Sequence, residues 1–259
     1  MASPKQRLDI LMHQQGLAPS REKARAMIMA GEVSVNGQVI DKAGTRIAED
    51  SAITVRARPR FVSRGGDKLD AALEAFGVDV VGAVCADVGA STGGFTDCLL
   101  QRGAARIYAL DVGYGQIAYT LRIDPRVVNL ERTNARYVES LPEPVQLVVM
   151  DASFISLRLL LPVIKGWLTP KAEIIPLIKP QFEAGQRDVG RGGVVRDQRV
   201  HARVIQEVLT AAQAEGFAVG GLIRSPLKGP AGNVEFLARL LWGHDRPALS
   251  IDALIETVV

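Results

Sequence analysis

Two groups of residues in this 259-residue sequence have types and spacing suited to chemistry. The first is Asp87-Val88-Gly89-Ala90-Ser91-Thr92-Gly93-Gly94-Phe95. Glycines let the backbone approach a ligand closely and adopt positive φ. The run is not G-x-G-x-x-G, and no Lys follows the glycines as in a P-loop, so NAD and ATP are disfavoured. Asp111 lies 22 residues after Gly89, at the end of the next apolar run. An acid there can accept hydrogen bonds from both hydroxyls of a ribose. The glycines alone equally suit a tight strand-to-helix turn with Asp87 as a cap; with Asp111 the adenosine reading leads. The candidate cofactor contacts are therefore Asp87, Gly89, Ser91, Thr92, Gly93, Gly94, Phe95 and Asp111, with Asn134 on the adenine side.

The second group is Lys68, Asp151, Lys179 and Glu235, which stand at the ends of apolar runs. Lys is scarce, 8 against 23 Arg, yet two fall at these points. Taken singly, each reads as a surface charge or a cap. Taken together, in an alternating α/β topology, they converge beside the cofactor at the carboxyl edge of the sheet.

The pattern around them supplies that topology. A helix beginning at Asp67 and ending at Gly77 precedes a buried strand, 84–89. A helix over 93–101, a strand over 106–110, a helix near 116–121 and a short strand at 127–130 follow. Then come a strand at 145–150, a helical stretch at 155–164, a strand at 172–178 and a long helix near 198–214. Strands at 217–223 and 234–240 finish the series. Such alternation predicts a doubly wound parallel sheet with ligands at the strand carboxyl ends. The last two strands, joined without a helix, should pair antiparallel. The fold class is thus a Rossmann-like α/β sheet with an antiparallel final strand. By fold analogy it is that of S-adenosylmethionine methyltransferases.

Composition divides the chain. Residues 1–60 hold ten Lys and Arg against six Asp and Glu, whereas 61–259 hold 21 against 22. All 13 aromatics lie from Phe61 onward. Two compositions imply two modules with a boundary near residue 60. No run of about 18 uncharged apolar residues suggests a transmembrane helix, and Lys5, Arg7 and Asp9 do not suit a signal peptide. Two cysteines, Cys85 and Cys98, make no disulfide framework, so a reducing cytoplasm is the expected location. No zinc-ligand spacing is present, and no metal is expected.

In the first module, Leu8, Leu11 and Met12 fit a short helix ending at Gly16. Ser20 reads as the N-cap of a second helix, 21–30. Val33-Ser34-Val35, an Asn36-Gly37 turn and Gln38-Val39-Ile40 read as a hairpin, with a third strand at 52–55 and Arg46 in a loop. The basic residues suit either a solvated face or a phosphate-contacting surface. The lack of aromatics argues against base-stacking modules and for a grip on backbone and shape. The residues Arg7-Leu8-Asp9, Ser20-Arg21, Ala24, Ile28 and Gly31-x-Val33-x-Val35-Asn36-Gly37 resemble the αL RNA-binding domain of a small-subunit ribosomal protein, tyrosyl-tRNA synthetases and pseudouridine synthases. The resemblance implies structured RNA as partner. Arg7, Ser20, Arg21, Lys23 and Arg25 are the candidate contacts, joined by Arg64, Arg187 and Arg191 in the second module.

The spacing of Lys68, Asp151, Lys179 and Glu235 resembles the Lys-Asp-Lys-Glu tetrad of FtsJ-like 2′-O-ribose methyltransferases. Longer segments are similar to the TlyA family in particular: 63–69, 89–95, Asp111-Val112-Gly113-Tyr114-Gly115-Gln116, 131–134, Ser153-Phe154-Ile155-Ser156-Leu157, Lys179-Pro180-Gln181-Phe182-Glu183 and Gly229-Pro230-x-Gly232-Asn233-x-Glu235. That family joins the αL domain to the methyltransferase domain and often carries the label hemolysin. The likeness runs over about residues 5–241 and implies domains at 1–60 and 61–242 with a C-terminal tail at 243–259. It also implies S-adenosylmethionine as cofactor, ribosomal RNA or ribosomal subunits as partner, and 2′-O-methylation, often of cytidine. Lys179 is then the candidate base. A free lysine, with pKa ~10.4, is protonated at neutral pH, so the role needs desolvation or Lys68 beside it. Asp151 would orient Lys179 and the methyl-donor region, and Glu235 with Lys68 would position the hydroxyl.

The segment between Pro180 and Arg196, with four glycines, reads as a lid or RNA clamp, or else as a disordered surface insertion. Ser63-Arg64-Gly65-Gly66 reads as a hinge touching phosphate, or as a plain linker. Rival functions are each missing a feature. A base amino-methyltransferase carries Asp/Asn-Pro-Pro-aromatic where this chain has Asp151-Ala152-Ser153-Phe154. A C5-cytosine enzyme needs a nucleophilic Cys, but Cys85 and Cys98 fall in core positions. A membrane-lysing protein needs a spanning segment or a strongly basic amphipathic stripe. A non-catalytic RNA-binding or ribosome assembly factor remains the alternative to an enzyme.

Overall fold

A computed structural model describes residues 3–56, 59–245 and 247–259. The chain divides into two compact units, Met1–Pro59 and Arg60–Val259. Of the linker residues, Ala57 and Arg58 lie outside the described residues.

The first unit runs β1 (Lys5–Arg7), α1 (Leu8–Gln14), α2 (Arg21–Met29), β2 (Val33–Val35), β3 (Gln38–Val39), β4 (Arg46–Ala48) and β5 (Ile53–Val55). Strands β3, β2 and β5 form an antiparallel sheet, with Asn36 and Gly37 both at positive φ in the tight turn. Ser20 caps α2 as its type suggests, accepting from the Lys23 N–H at 3.2 Å. Arg46, expected in a loop, instead lies in β4, paired opposite Arg7 of β1. β1 and β4 pair across the unit rather than through a tight hairpin, so no Asn-Gly turn marks them as it marks β2 and β3. The apolar faces of α1 and α2 meet over Leu8, Met12, Ala24 and Ile28, all fully buried.

The second unit runs α3 (Gly65–Phe76), β6 (Val84–Val88), α4 (Gly94–Gln101), β7 (Arg106–Leu110), α5 (Tyr119–Arg122), β8 (Val127–Leu130), β9 (Val145–Met150), α6 (Leu157–Ile164), β10 (Leu168–Ile178), α7 (Pro180–Glu183), α8 (Gln198–Ala214), β11 (Ala218–Arg224), β12 (Phe236–Trp242) and α9 (Ile251–Val258). One seven-stranded sheet has the order β11-β12-β10-β9-β6-β7-β8. It is parallel except for β12, which runs antiparallel to both neighbours. The order reverses between β6 and β9, the kind of point where open α/β sheets bind ligands.

Successive residues of the central strands face opposite layers, as strand geometry requires. Ala86, Val88, Val148, Met150 and Ile174 join one core with α6, α8 and α9. Cys85, Leu147, Val149 and Ile175 join the other with α3 and α4. The tail folds as well: Ile251 of α9 is buried in the first of these cores. The stretch before α3 is packed down rather than loose. Phe61 is buried, the Val62 N–H donates to Asp97 Oδ2 at 2.8 Å, and Gln101 Nε2 donates to the Arg60 carbonyl at 2.9 Å.

Asp9 anchors the first unit. It is fully buried and accepts from Arg7 Nε (3.0 Å), Arg7 Nη2 (3.0 Å) and Arg21 Nε (3.0 Å). The Arg7 hydrogen bond, with Arg21 in support and against the cost of burial, holds its carboxyl down at about 2. Its folded pKa lies below its ordinary value of 3.8, so the stabilisation is complete above that value and fades as pH falls toward about 2. Asp9→Asn should therefore cost about 1–3 kcal/mol at neutral pH. Melting curves of both proteins between pH 7 and pH 2.5 should show the gap closing at the acid end.

Candidate active site

Sheet register brings the site together. Val88 pairs with Leu110 and with Met150, so Gly89, Asp111 and Asp151 each begin the turn after an aligned strand end. Ile178 pairs antiparallel with Phe236, so Lys179, just after one, stands beside Glu235, just before the other. Lys68 arrives from the first turn of α3.

The four charged residues form two ion pairs. Lys68 Nζ donates to Glu235 Oε2 at 2.5 Å, both side chains being buried. Lys179 Nζ lies 2.7 Å from Asp151 Oδ1 and donates to the Ser153 hydroxyl at 2.9 Å and the Asp151 carbonyl at 3.2 Å. Lys68 thus takes a carboxylate partner of its own. All four line one cavity of about 510 Å³, with Ser63, Arg64, Phe95, Phe154 and Phe182 among its other walls.

A second cavity, about 330 Å³, is lined by Asp111, Gln116, Asn134 and the apolar side chains of Val88, Leu110, Ile155 and Leu160. Gly89, Ser91, Asp151, Ser153 and Phe154 belong to both cavities and form their common wall. Asp111 is held in place by its own backbone donors, Ser91 N–H to Oδ2 at 2.7 Å and Gly113 N–H to Oδ1 at 2.6 Å. A carboxylate oxygen accepts more than one bond, so both retain capacity for hydroxyl donors. Asn134 caps a short 3₁₀ turn, accepting from the Arg136 N–H at 3.1 Å.

The glycine-rich loop divides its work. Gly89, Ser91, Thr92, Gly94 and Phe95 line cavity walls. Asp87 and Gly93 line neither: Gly93 turns the chain at φ +96° into α4, and Asp87 lies fully buried beneath the loop. Its Oδ2 accepts from the Thr96 hydroxyl at 2.6 Å while its Oδ1 has no partner. Burial pushes the Asp87 carboxyl up to about 7; the Thr96 hydrogen bond resists the shift, and Asp151 and Asp111 add to it. Cys85 and Cys98 are both buried, and burial pushes each thiol up to about 12, unlike a poised nucleophile.

Three residues of the site lie outside the sequence-level candidates. Glu183 is buried, accepting from the Ser156 hydroxyl (2.6 Å) and the Leu157 N–H (2.7 Å). It ties the segment after Lys179 to the segment after Asp151. Asn233 is buried, accepting from the Val195 N–H (2.9 Å) and donating to the Gly193 carbonyl (2.9 Å). These two clasps, with the Asp188–Arg203 ion pair, hold the glycine-rich segment after Lys179 in place, and its Gly192 and Gly193 line the larger cavity. The segment is a built wall rather than a loose insertion. Phe154 sits at φ +62°, 89% exposed, with its ring 4.9 Å from that of Phe182. Only its place in the Ser153–Leu157 segment marked it.

Of the candidate RNA contacts, Arg64 lines the larger cavity, and Arg187 and Arg191 are exposed on the same segment as Gly192. In the first unit, Lys23 and Arg25 are exposed, while Arg7 and Arg21 spend hydrogen bonds on Asp9 and Ser20 serves as a cap.

A seven-stranded sheet of this order, with cavities at its carboxyl edge, is the architecture of the α/β methyltransferases. A methyltransferase of Listeria monocytogenes described as S-adenosylmethionine dependent shares that fold, with TM-score 0.54 at 14% identity over 70% of this chain and 100% of its own. Residues 61–240 match the FtsJ-like methyltransferase family and residues 6–53 the S4 domain. The "16S/23S rRNA (cytidine-2'-O)-methyltransferase TlyA" of Mycobacterium tuberculosis is 48% identical over 256 residues, 97% of this chain and 95% of its own. A solved structure titled "Putative hemolysin from Streptococcus thermophilus" is 41% identical with TM-score 0.73, over 99% of this chain and 96% of that one. The chain belongs to the FtsJ-like methyltransferase family and, within it, to the TlyA type that carries an S4 domain. Despite the hemolysin name of one relative, no helix among the described residues is long and apolar enough to cross a membrane.

Two outcomes follow. A Cβ at Gly89, whose φ is +85°, would stand 2.9 Å from the Asp151 carbonyl oxygen. Gly89→Ala should cost about 1–3 kcal/mol of stability and abolish cofactor binding, measured by calorimetry. Asp87 has a raised folded pKa, so the native state binds the extra proton and loses stability as pH rises from about 4 to about 7. Asp87→Asn should flatten that fall in a melting-temperature series over the same range.

Proposed function

We propose that this protein transfers a methyl group from S-adenosylmethionine to a ribose 2′-hydroxyl of ribosomal RNA, with cytidine as the target nucleotide. The observation that carries the reading is the common wall: a cavity lined by Asp111 shares five lining residues with a second cavity that contains a lysine paired to a carboxylate. The first fits adenosine. Asp111 offers acceptor capacity to ribose hydroxyls, the apolar walls suit a base, and Gly89, at φ +85° and packed against the Asp151 backbone, lines the cavity without a side chain. Asp111, at a strand end in the cavity wall, supplies a negative charge that favours a sulfonium cation. The bound cofactor would supply an electrophilic methyl group.

The residues of the larger cavity suit the nucleophile. A ribose hydroxyl attacks only as its proton leaves, so it needs a base at the moment of bond formation. Lys179 is that base, fixed by Asp151 and Ser153 at the wall nearest the cofactor cavity. Lys68 and Glu235, locked to each other and lining the same cavity, orient the ribose. Arg64 and the exposed Arg187 and Arg191 take phosphates, and the S4 domain, through Lys23, Arg25 and their neighbours, grips folded RNA. The name of the M. tuberculosis relative supports the cytidine and the ribosomal target.

The test is single-turnover transfer of tritiated methyl from S-adenosylmethionine to isolated ribosomal subunits, followed by nucleotide mapping. Lys179→Ala should slow transfer on the order of 10²–10⁴-fold and leave cofactor binding unchanged. Replacing the target 2′-hydroxyl with hydrogen should remove the label. RNA bound without any label would instead make the protein a non-catalytic assembly factor.

A further inference from the structure

We propose that the Ser153 hydroxyl is a catalytic residue that relays the proton from the ribose hydroxyl to Lys179. The inference rests on the methyl-transfer reading and deepens it. Ser153 is one of five residues in the wall common to both cavities, where a methyl group passing between them must cross. Of those five, Ser153 and Asp151 contact Lys179 Nζ. Asp151 presents a carboxylate and a carbonyl, which only accept; a hydroxyl accepts and donates in one step. Burial points the same way: Lys179 is 8% exposed, whereas Ser153 is open to the cavity.

The geometry at Nζ gives the direction of transfer. To act as a base the amine must offer an electron pair. Toward the Asp151 carbonyl it keeps presenting an N–H bond, and the carboxylate oxygen Oδ1, 2.7 Å away, repels an electron pair turned toward it. The remaining occupied direction leads to Ser153 Oγ, 2.9 Å away. When the amine turns its electron pair that way, the serine O–H points at Nζ and the oxygen's own electron pairs face the cavity. The step then balances. The ribose O–H bond breaks as its oxygen bonds the methyl carbon, and the methyl–sulfur bond of the sulfonium breaks with its electron pair left on sulfur. The ribose proton passes to Ser153 Oγ, and the serine's own proton passes to Lys179 Nζ.

The experiment uses the full chain, ribosomal subunits and S-adenosylmethionine under single-turnover conditions. Ser153→Ala should slow transfer about 10²-fold, far more than it weakens cofactor affinity read by calorimetry. Ser153→Thr, which keeps a hydroxyl, should recover most of the rate. In mixtures of light and heavy water the wild-type rate should follow a curved proton inventory, two protons being in flight, and the Ser153→Ala residual rate a straight one. Full speed in Ser153→Ala, or a straight inventory in the wild type, overturns the relay while methyl transfer to ribose stands. Absence of ribose methylation by the wild type overturns the function and the relay together.

Discussion

The site depends on one constraint, the register of the parallel sheet. Val88, Leu110 and Met150 end in line, so the three strands deliver Gly89, Asp111 and Asp151 to one edge. The antiparallel return of β12 then sets Glu235 next to Lys179, a placement a parallel strand could not achieve because its first residue would lie at the opposite edge. Register in turn is enforced by burial on both faces. A one-residue slip of β9 would exchange Val148 and Met150 with Leu147 and Val149 between two different cores. Packing far below the edge therefore fixes the chemistry at it.

At that edge the residues counterbalance one another. Two buried lysines would be costly alone, and each is matched to one carboxylate. Asp87 is the exception, a buried acid whose second oxygen has no partner, and its raised pKa is the consequence. Glu183 and Asn233 do no chemistry of their own in this account. They tie strand-end segments to one another, Glu183 to Ser156 and Leu157 and Asn233 to Gly193 and Val195.

Much of this was legible in the sequence, and for a physical reason. Strand-end residues announce themselves, because an apolar run stops abruptly at a Gly, Asp or Lys, as at Gly89, Asp151 and Lys179. The change of composition near residue 60 separated the S4 domain, which packs small aliphatic residues, from the aromatic-bearing domain. What was not legible depends on partners distant along the chain. Asn233 acts on residues 38 and 40 positions away and Glu183 on residues 26 and 27 away, and neither residue type marks a buried clasp. Strands β1 and β4 were hidden because they pair with each other from far apart in the first unit, with no hairpin turn between them to mark them. The C-terminal helix was hidden because it lies beyond the family motifs, although Ile251 buries against the core like any other.

The central claim is that two cavities meet at a wall where cofactor and nucleophile face each other. The most direct measurement is a crystal structure of the full chain with S-adenosylhomocysteine. The expected result is the ribose on Asp111, the base beside Asn134 and the sulfur at the wall of Gly89, Asp151 and Ser153, directed toward Lys179. Adenosine bound away from Asp111, or a sulfur directed away from Lys179, would contradict it.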